Sequence, residues 1–556
     1  MKRNLIQSVG VLLIVCLFIY MFLPTLNYGF IGLPIVLIIG IGPFYLASFV
    51  PVKGERNSVK NRVFPAVFWG CFVYVLLVPF MTSSTLFKSL KYRDLIGEIT
   101  TGQDFSTQVS PISTDEIRIV DRSIAYKVGD KVLGTQPSLG SQVELGDFAI
   151  QKVNGKLYWV APLLHSGFFK WINNKSGTEG YVMVSATNER DVKLVQNVNG
   201  NPVKIKYQRN AYFSDNLSRH IYSHGYATQG FTDFTFEIDD SGNPFWVVTL
   251  FEKRIGFSGE DATGVLLVNV ATGEMEEYSI EDAPLWVDRI QPASFILDQL
   301  DDWGEYVHGV FNFSNQDKLT TTNGISLVYG ENNNSFWYTG LTSVGSDEGT
   351  VGFILVNTRT KESIWYKQIG ATESAAQYSA MGKVQEKRYS ATFPITYNIN
   401  GVPTYVMSLK DQAGLIKMIA MVSVEDYTIV GVGNTLKETL RSYKNALNST
   451  GANVVPSSSV DIFTIDTEVL RISSDIRNGN TFYYLILKGY ENKIFIGSTL
   501  ISNEFPISQS GDSVFVKYDE GNNELVDIIE FSNKTFQFKE TVQGERIENT
   551  HSEAVN

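Results

Sequence analysis

The chain has 556 residues, of which 44% are hydrophobic and 19% charged, with 46 basic and 58 acidic side chains and two cysteines. This composition is typical of folded, multidomain proteins and excludes disordered, collagenous and coiled-coil chains. The net charge of −12 argues against a nucleic-acid binder, because an acidic surface repels phosphate backbones.

The first 87 residues have the strongest apolar pattern. No charged residue occurs from Asn4 to Val52, and residues 5–23 and 30–50 are each long enough to cross a hydrocarbon core of about 30 Å. Residues 24–29 (PTLNYG) predict a turn between them, and residues 63–81 form a third apolar stretch. The sequence therefore predicts a membrane region over residues 1–87 with three spans. A cleaved signal peptide is the alternative for the first stretch, but no A-x-A-like site follows it.

Positive charges predict the orientation of this region. Lys2 and Arg3 precede the first stretch, and four basic residues lie between Lys53 and Arg62. Both segments are expected in the cytoplasm by the positive-inside rule. With three spans, the chain from residue 88 onward would then lie outside the cytoplasm. The predicted localisation is the cell membrane, multi-pass, with a cytoplasmic N-terminus and an extracytoplasmic C-terminal region.

The charge and cysteine positions constrain that exterior region. Residues 1–87 have a balance of +5, which leaves −17 for the rest, so we expect a soluble region that does not adsorb tightly to anionic head groups. Cys16 and Cys71 both lie in the predicted spans. A disulfide scaffold and a thiolate-bound metal are therefore excluded outside the membrane.

Beyond residue 88, one pattern occurs four times: a turn with Asn or Gly, an aromatic strand, and a second apolar strand. The four copies cover residues 153–188, 240–274, 331–362 and 399–426, and their aromatic anchors are Trp159, Trp246, Trp337 and Tyr405. The anchors are 87, 91 and 68 residues apart, which argues against a solenoid or a propeller. Each copy is predicted to be an antiparallel meander.

Helical patterns separate these strand groups. Apolar residues recur at helical spacing in 214–224, 294–306 and 435–447, and 372–384 has an Ala-rich start. The predicted unit is a helix packed on a small antiparallel sheet. The predicted modules cover residues 88–213, 214–310, 311–371 and 372–448.

One of these units resembles a known family. In residues 214–280 a helix is followed by the hairpin strand DSGNPFWVV and by a second strand in which Val268 precedes the T-G-E of Thr272 to Glu274. This order resembles the PepSY domain, and residues 372–431 resemble it more faintly. The resemblance implies a non-catalytic module outside the membrane that binds or restrains peptidases or other envelope partners. The third unit departs from the pattern with Lys361 in place of the Gly, and no functional residue is carried over.

Residues 449–459 predict a linker of small and polar residues, and residues 541–556 a flexible tail. Between them, residues 460–540 contain five strand patterns and resemble a small all-β barrel of the OB or a similar type. Tyr483 and Tyr484 are candidate stacking residues for a ligand. We prefer the alternative that one of them faces the core and the other is an ordinary exposed aromatic.

Few residues indicate chemistry. His220 and His224, at i and i+4 with Asp215 nearby, have a spacing that can hold a metal, but a surface helix that ends at Gly225 is the preferred explanation. Residues 239–243 (DDSGN) share part of a calcium-loop pattern but are better explained as a hairpin turn. The sequence contains no P-loop, G-x-S-x-G, H-E-x-x-H or G-x-G-x-x-G motif. We therefore predict no catalytic, cofactor-binding or metal-binding residues and no cofactor.

The predicted fold class is an α-helical membrane region with three spans, then an α+β region of tandem helix-plus-sheet modules and a C-terminal β-barrel. The predicted function is a non-catalytic scaffold or regulatory binding protein in the bacterial envelope. Its predicted partners are the lipid bilayer, envelope or membrane proteins and a second copy of the chain, and not nucleic acid. An accessory membrane subunit of a transfer or secretion complex is the alternative. An enzyme ranks third, because it would need a site built from Asp215, His220 and His224.

Overall fold

The computed structural model describes residues 2–48, 60–102, 105, 116–330, 334–345, 349–399, 401–449, 462–477, 480–499, 501–519 and 525–536. The chain divides into two compact units, residues 1–440 and 441–556. The predicted linker after Ser449 and the predicted tail at 541–556 lie outside the described residues.

Three apolar helices begin the chain. They are α1 (Lys2–Phe22), α2 (Gly32–Ser48) and α3 (Lys60–Ser83). Helices α2 and α3 are held together by ring stacking, with Tyr45 and Phe68 centroids 4.6 Å apart. Elsewhere these helices expose large apolar side chains. Most of their outer surface is therefore not covered by any other part of the described chain.

The prediction of three membrane spans is wrong. Among the described residues, one helical segment, Val63–Ser83, is long and apolar enough to cross a membrane. The apolar parts of α1 and α2, Ser8–Phe22 and Gly32–Leu46, are shorter, at most about 25 Å against a hydrocarbon core of about 30 Å. The turn predicted at 24–29 does separate α1 from α2, but the apolar helical segments on either side, Ser8–Phe22 and Gly32–Leu46, are shorter than the predicted spans 5–23 and 30–50. The multi-pass topology and the orientation inferred from an odd number of spans lose their support.

After α3 the described chain is rich in β-structure. Helix α4 (Thr85–Arg93) has Ser84 as its N-cap, and the Oγ of Ser84 accepts the backbone N–H of Leu86. Strand β1 (Ile99–Thr101) then joins the third of four sheets. The first sheet follows helices α5 (Arg122–Gly134) and α6 (Pro137–Gly140), and α7 (Phe168–Asn173) lies between two of its strands. Its strands are β2 (Val143–Leu145), β3 (Ala149–Val153), β4 (Lys156–His165), β5 (Tyr181–Ser185) and β6 (Val192–Val195), and a small β7 (Asn197–Val198) and β8 (Asn201–Pro202) hairpin follows.

The second sheet follows helix α8 (Leu217–Ser223) and is a meander of four strands in the order β12-β11-β10-β9. The strands are β9 (Gly230–Ile238), β10 (Pro244–Ile255), β11 (Ser258–Asn269) and β12 (Met275–Ser279). Strands β10 and β11 form the longest hairpin of this sheet, and its tip at residues 255–258 extends beyond the other strands.

The third and fourth sheets repeat the same order of helix and strands. Helix α9 (Ala293–Glu305) precedes β13 (Leu319–Thr321), β14 (Ser326–Tyr329), β15 (Ser335–Ser343), β16 (Gly349–Thr350), β17 (Gly352–Asn357) and β18 (Ser363–Tyr366). After β19 (Gly370–Ala371), which pairs with β16, helix α10 (Glu373–Gly382) precedes β20 (Ser390–Ala391), β21 (Ile395–Ile399), β22 (Val402–Lys410), β23 (Ile416–Ser423) and β24 (Val430–Gly433). Helix α11 (Leu436–Ser449) follows.

The four aromatic anchors occupy the same register in their sheets. Each lies opposite a valine of the next strand, in the pairs Trp159–Val184, Trp246–Val268, Trp337–Val356 and Tyr405–Val422. The polar tip of each anchor donates a hydrogen bond to a backbone carbonyl that precedes the helix of its unit. These carbonyls belong to Val120, Tyr207, Gln291 and Ala371, at distances of 2.8–3.0 Å. A common contact therefore fixes each helix segment to its sheet.

The backbone completes this contact in the same way each time. The carbonyl two residues beyond the paired valine accepts N–H groups from the segment before the helix. The accepting residues are Ala186, Val270, Thr358 and Val424. In the second unit nine residues, 208–216, intervene before α8, but the N–H of Leu217 donates to the carbonyl of Gln208 and closes this insertion as a loop.

The cores lie between these sheets. The first sheet shares one apolar cluster with the third sheet and α9, and its other face shares a second cluster with α8 and the second sheet. The third and fourth sheets share a further cluster with α10. The 1–440 unit is thus a series of sheets packed through shared faces.

The second compact unit contains a closed five-stranded barrel in the order β25-β26-β27-β29-β28. Its strands are β25 (Ile462–Arg477), β26 (Asn480–Leu487), β27 (Ile494–Ser498), β28 (Ser513–Asp519) and β29 (Leu525–Asn533). All pairs are antiparallel except β27 with β29. Phe495, Phe505 and Phe531 fill the interior.

Candidate functional site

A cleft of about 320 Å³ lies between α4, α9 and the tip of the β10–β11 hairpin, and we name it the acidic cleft. Its walls include Tyr92, Ser258, Glu260, Asp298, Gln299 and Asp302. These residues come from three separate segments of the chain, which the fold brings together.

The end of α3 positions the first wall. The Oγ of Ser83 accepts the backbone N–H of Phe257 at the hairpin tip at 2.7 Å, and the Tyr92 hydroxyl donates to the carbonyl of Ser83 at 2.6 Å. Helix α4 and the hairpin tip therefore both contact Ser83, the last residue of α3. The acidic cleft lies directly beside the end of α3.

Helix α9 supplies the acidic wall because it is amphipathic. Ile296 and Leu300 are buried in the core, while Asp298 and Asp302, four residues apart, lie on one face. Asp301 lies beside them, but its Oδ1 accepts three hydrogen bonds from Thr320 and Thr321. Asp301 also lines the cleft, but one of its oxygens is committed to the fold, whereas Asp298 and Asp302 accept no such bonds in the described part of the chain.

Two of the four lining carboxylates have no countercharge among the described residues. Glu260 is paired with Lys253 at 3.1 Å, but in the described part of the chain neither Asp298 nor Asp302 forms an ion pair. Burial, and then the negative charges of Asp298 and Asp301, raise the pKa of Asp302 to about 6. Burial and the charge of Glu260 also raise the pKa of Asp298. A bound cation would relieve both effects.

Gln299 adds a neutral acceptor to this wall. Its side chain is 2% exposed, and its Nε2 donates to the carbonyl of Glu260 at 2.8 Å. Its Oε1 is buried without a hydrogen-bond donor, which is costly for an amide oxygen. The cleft therefore presents acceptors and negative charge, the complement of an ammonium or guanidinium group.

A different pair of carboxylates, Asp288 and Glu237, is buried and has its hydrogen bonds satisfied by the protein. Asp288 Oδ2 accepts the N–H of Lys152 at 2.9 Å and the Tyr329 hydroxyl at 2.8 Å. Glu237 accepts the hydroxyl of Thr235 and the N–H of Asp288. Burial raises the pKa of both carboxyls. This network, which we name the buried junction, joins the first three sheets and does not line the acidic cleft.

The histidine pair weighed from the sequence is part of the structural frame. The His220 and His224 rings are 4.3 Å apart, but His220 Nε2 contacts the carbonyl of Gly273 and His224 Nδ1 the carbonyl of His220. Asp215 accepts the indole N–H of Trp171 instead. Among the described residues, no three His, Cys, Asp or Glu side chains are placed to hold a metal ion.

The other residues weighed from the sequence lie elsewhere. Asp239 caps the β9–β10 turn, where its Oδ1 accepts the N–H groups of Ser241 and Asn243. Tyr483 stacks on Phe505 with the barrel core, while Tyr484 lies on the same strand one position later. The structure does not bring any of these residues to the acidic cleft.

Sequence reasoning missed the cleft for a physical reason. The apolar face of residues 294–306 was visible, and the acidic D-Q-L-D-D run from Asp298 to Asp302 on the other face was the available signal. An acidic helix face of this kind usually contacts only water and binds nothing. Its opposition to Tyr92 and Glu260 depends on contacts between segments that are far apart in the chain.

Comparison with known proteins does not assign the chain to a family. Neither the protein-family models nor the curated proteins contain a match to this chain.

Proposed function

We propose that this chain is a membrane-anchored, non-catalytic binding protein whose acidic cleft accepts a lysine or arginine side chain of a partner membrane or envelope protein. The observation that carries the proposal is the pair Asp298 and Asp302, which line a cleft without a countercharge. A basic side chain would pair with these carboxylates, and its N–H groups could also satisfy the unpaired oxygen of Gln299.

The anchor in this proposal is α3. Its outer face exposes Leu76, Leu77, Phe80 and Met81, as expected of a helix in contact with lipid. Because α4 begins two residues after α3 ends, the acidic cleft would lie at the membrane surface. The intended partner therefore presents its basic residue close to the same membrane.

We propose that the region after α3 lies outside the cytoplasm, in a bacterial envelope. Six basic residues precede the apolar segment of α3, between Lys2 and Arg62, and three follow in α4. This bias supports a cytoplasmic start of α3. The resemblance of residues 214–280 to PepSY modules supports an envelope role.

Labelling of single cysteines in intact cells tests the orientation. The background replaces Cys16 and Cys71, and the single cysteines replace Ser58, before α3, and Ser241, in the exposed β9–β10 turn. An impermeant maleimide should label Ser241→Cys and not Ser58→Cys. The reverse pattern would place the acidic cleft in the cytoplasm and refute the envelope role.

A binding experiment tests the cleft itself. The full chain in lipid nanodiscs is titrated with a pentalysine peptide, and Asp298→Asn/Asp302→Asn is compared with Glu281→Gln/Asp282→Asn. The second variant removes the same charge from an exposed turn. We expect about tenfold weaker binding for the cleft variant and less than about twofold for the control. Equal losses would show unspecific attraction to an acidic protein and refute the cleft as a site.

We also infer that the four sheets are copies of one unit. The common register and the hydrogen bond from each anchor to the segment before its helix support this inference. A scaffold built of such units can present several surfaces on one anchor.

A further inference from the structure

A cluster of exposed apolar side chains lies on α7 and the segment before α8. It consists of Phe168, Phe169, Ile172 and Phe213, and we name it the aromatic patch. Phe169 is 77% exposed, Phe213 56% and Ile172 43%. Exposed apolar side chains that are grouped in this way mark an interaction surface more often than single ones do.

The patch is held rigidly. Trp171 is buried beneath it, donates its indole N–H to Asp215 at 3.1 Å, and contacts the ring of Phe213 with centroids 5.7 Å apart. Phe213 has a φ of +52°, a strained backbone conformation for a bulky residue, and its ring remains outside the core. The fold therefore presents these rings outward although burying them would be favourable.

The segment that carries α7 is basic in an otherwise acidic chain, although Asp215 lies beneath it. Residues 166–176 contain Lys170 and Lys175 and no acidic residue, and both lysines are exposed. Arg209 is also exposed and lies over the ring of Phe234. This local sign is opposite to the −17 of the region as a whole.

Helix α8, which follows the patch in the chain, contacts the end of α1 and the residues after it. Arg219 of α8 donates to the carbonyl of Tyr20 at 3.3 Å, and its guanidinium lies 4.5 Å from the Tyr20 ring centroid. Tyr222 donates to the carbonyl of Pro24 at 2.8 Å. Helix α8 thus rests on the end of α1, and the patch lies just before α8 in the chain.

We propose that the aromatic patch and its basic rim dock on the anionic head groups of the membrane that α3 crosses. The inference rests on the proposed anchor and adds a second point of contact with the same bilayer. Aromatic rings favour the interface between water and hydrocarbon, and lysines beside them are attracted to anionic lipid. A second contact would fix the rotation of the sheets about the axis of α3.

The test measures how close the patch is to lipid in the full chain. Single cysteines replace Asn173, Leu285 or Val73 in the background without Cys16 and Cys71, and each carries an environment-sensitive fluorophore. Asn173 adjoins the patch without belonging to it, Leu285 is 85% exposed at a distant turn, and Val73 lies in α3. The proteins are reconstituted in phosphatidylcholine vesicles with about 30% phosphatidylglycerol and spin-labelled quencher lipids.

We expect quenching at positions 173 and 73 but not at 285. Quenching at 73 together with none at 173 would overturn the patch proposal and leave the anchor intact. Absence of quenching at 73 would overturn the anchor, and this inference with it.

Two comparisons identify the lipid chemistry. Lys170→Gln/Lys175→Gln changes only exposed side chains and should reduce quenching at position 173 about threefold in the anionic vesicles. Pure phosphatidylcholine vesicles should give a similar reduction for the unchanged chain. Quenching that does not depend on either change would overturn the role of anionic head groups.

Discussion

The buried junction and the acidic cleft both contain carboxylates whose pKa burial raises, yet they differ in what accompanies the charge. At the buried junction, backbone and hydroxyl donors reach Asp288 and Glu237. At the acidic cleft, Asp298 and Asp302 face open space without an ion pair among the described residues. A raised pKa therefore occurs at both places, and the missing ion-pair partner distinguishes the acidic cleft from the buried junction.

Substituting the junction should have the largest effect. Asp288→Ala leaves the Lys152 N–H buried without its acceptor, removes one of the two acceptors of the Tyr329 hydroxyl and takes away the charge that faces Arg289 and Arg359. We expect a loss of about 3–5 kcal/mol in the free energy of unfolding. Urea denaturation measures it, with the exposed Asp282→Ala as the control at less than about 0.5 kcal/mol. Similar values for both variants would contradict a structural role for the junction.

The pH dependence of stability should have an unusual sign at the junction. Because burial raises the pKa of Glu237 to about 7, the folded state holds its proton more tightly than the unfolded chain does. The stabilising effect is complete below the ordinary pKa near 4.5 and is lost as pH rises through about 7, a change of roughly 3 kcal/mol. Denaturation curves across this range should show falling stability, and Glu237→Gln should flatten the profile. An unchanged profile in that variant would assign the effect to other groups.

A substitution in the acidic cleft should have the smallest effect on stability, and it should raise stability rather than lower it. Asp302→Asn removes repulsion from Asp298 and Asp301 without removing a protein hydrogen bond, so we expect the free protein to gain up to about 1 kcal/mol of stability at neutral pH. The melting temperature of the full chain reports this gain. A loss of stability comparable to that of Asp288→Ala would mean that Asp302 serves the fold rather than a ligand.

The sequence predicted local features better than contacts between residues that are far apart in the chain. Trp159, Trp246, Trp337 and Tyr405 were recognisable because an aromatic strand after a turn is a local pattern, and all four lie in strands. The face of α9 with Ile296 and Leu300 was visible through its helical spacing.

The prediction of three spans failed because the absence of charge was taken as a measure of helix length, whereas the apolar helical segments Ser8–Phe22 and Gly32–Leu46 are shorter than the charge-free stretches that contain them. The acidic cleft was out of reach because Tyr92, Glu260 and Asp302 meet only through tertiary contacts. The PepSY and OB resemblances remain predictions.

The hydrogen bond from each anchor to the segment before its helix limits which parts of such a chain can change in length during evolution. The contact involves only the anchor, its opposing valine, one carbonyl before the helix and one at the end of the second strand. Everything between these points is free to lengthen or shorten, as residues 208–216 illustrate by forming a closed loop. A protein of this construction can therefore acquire new surfaces in its connections while each unit keeps the same geometry.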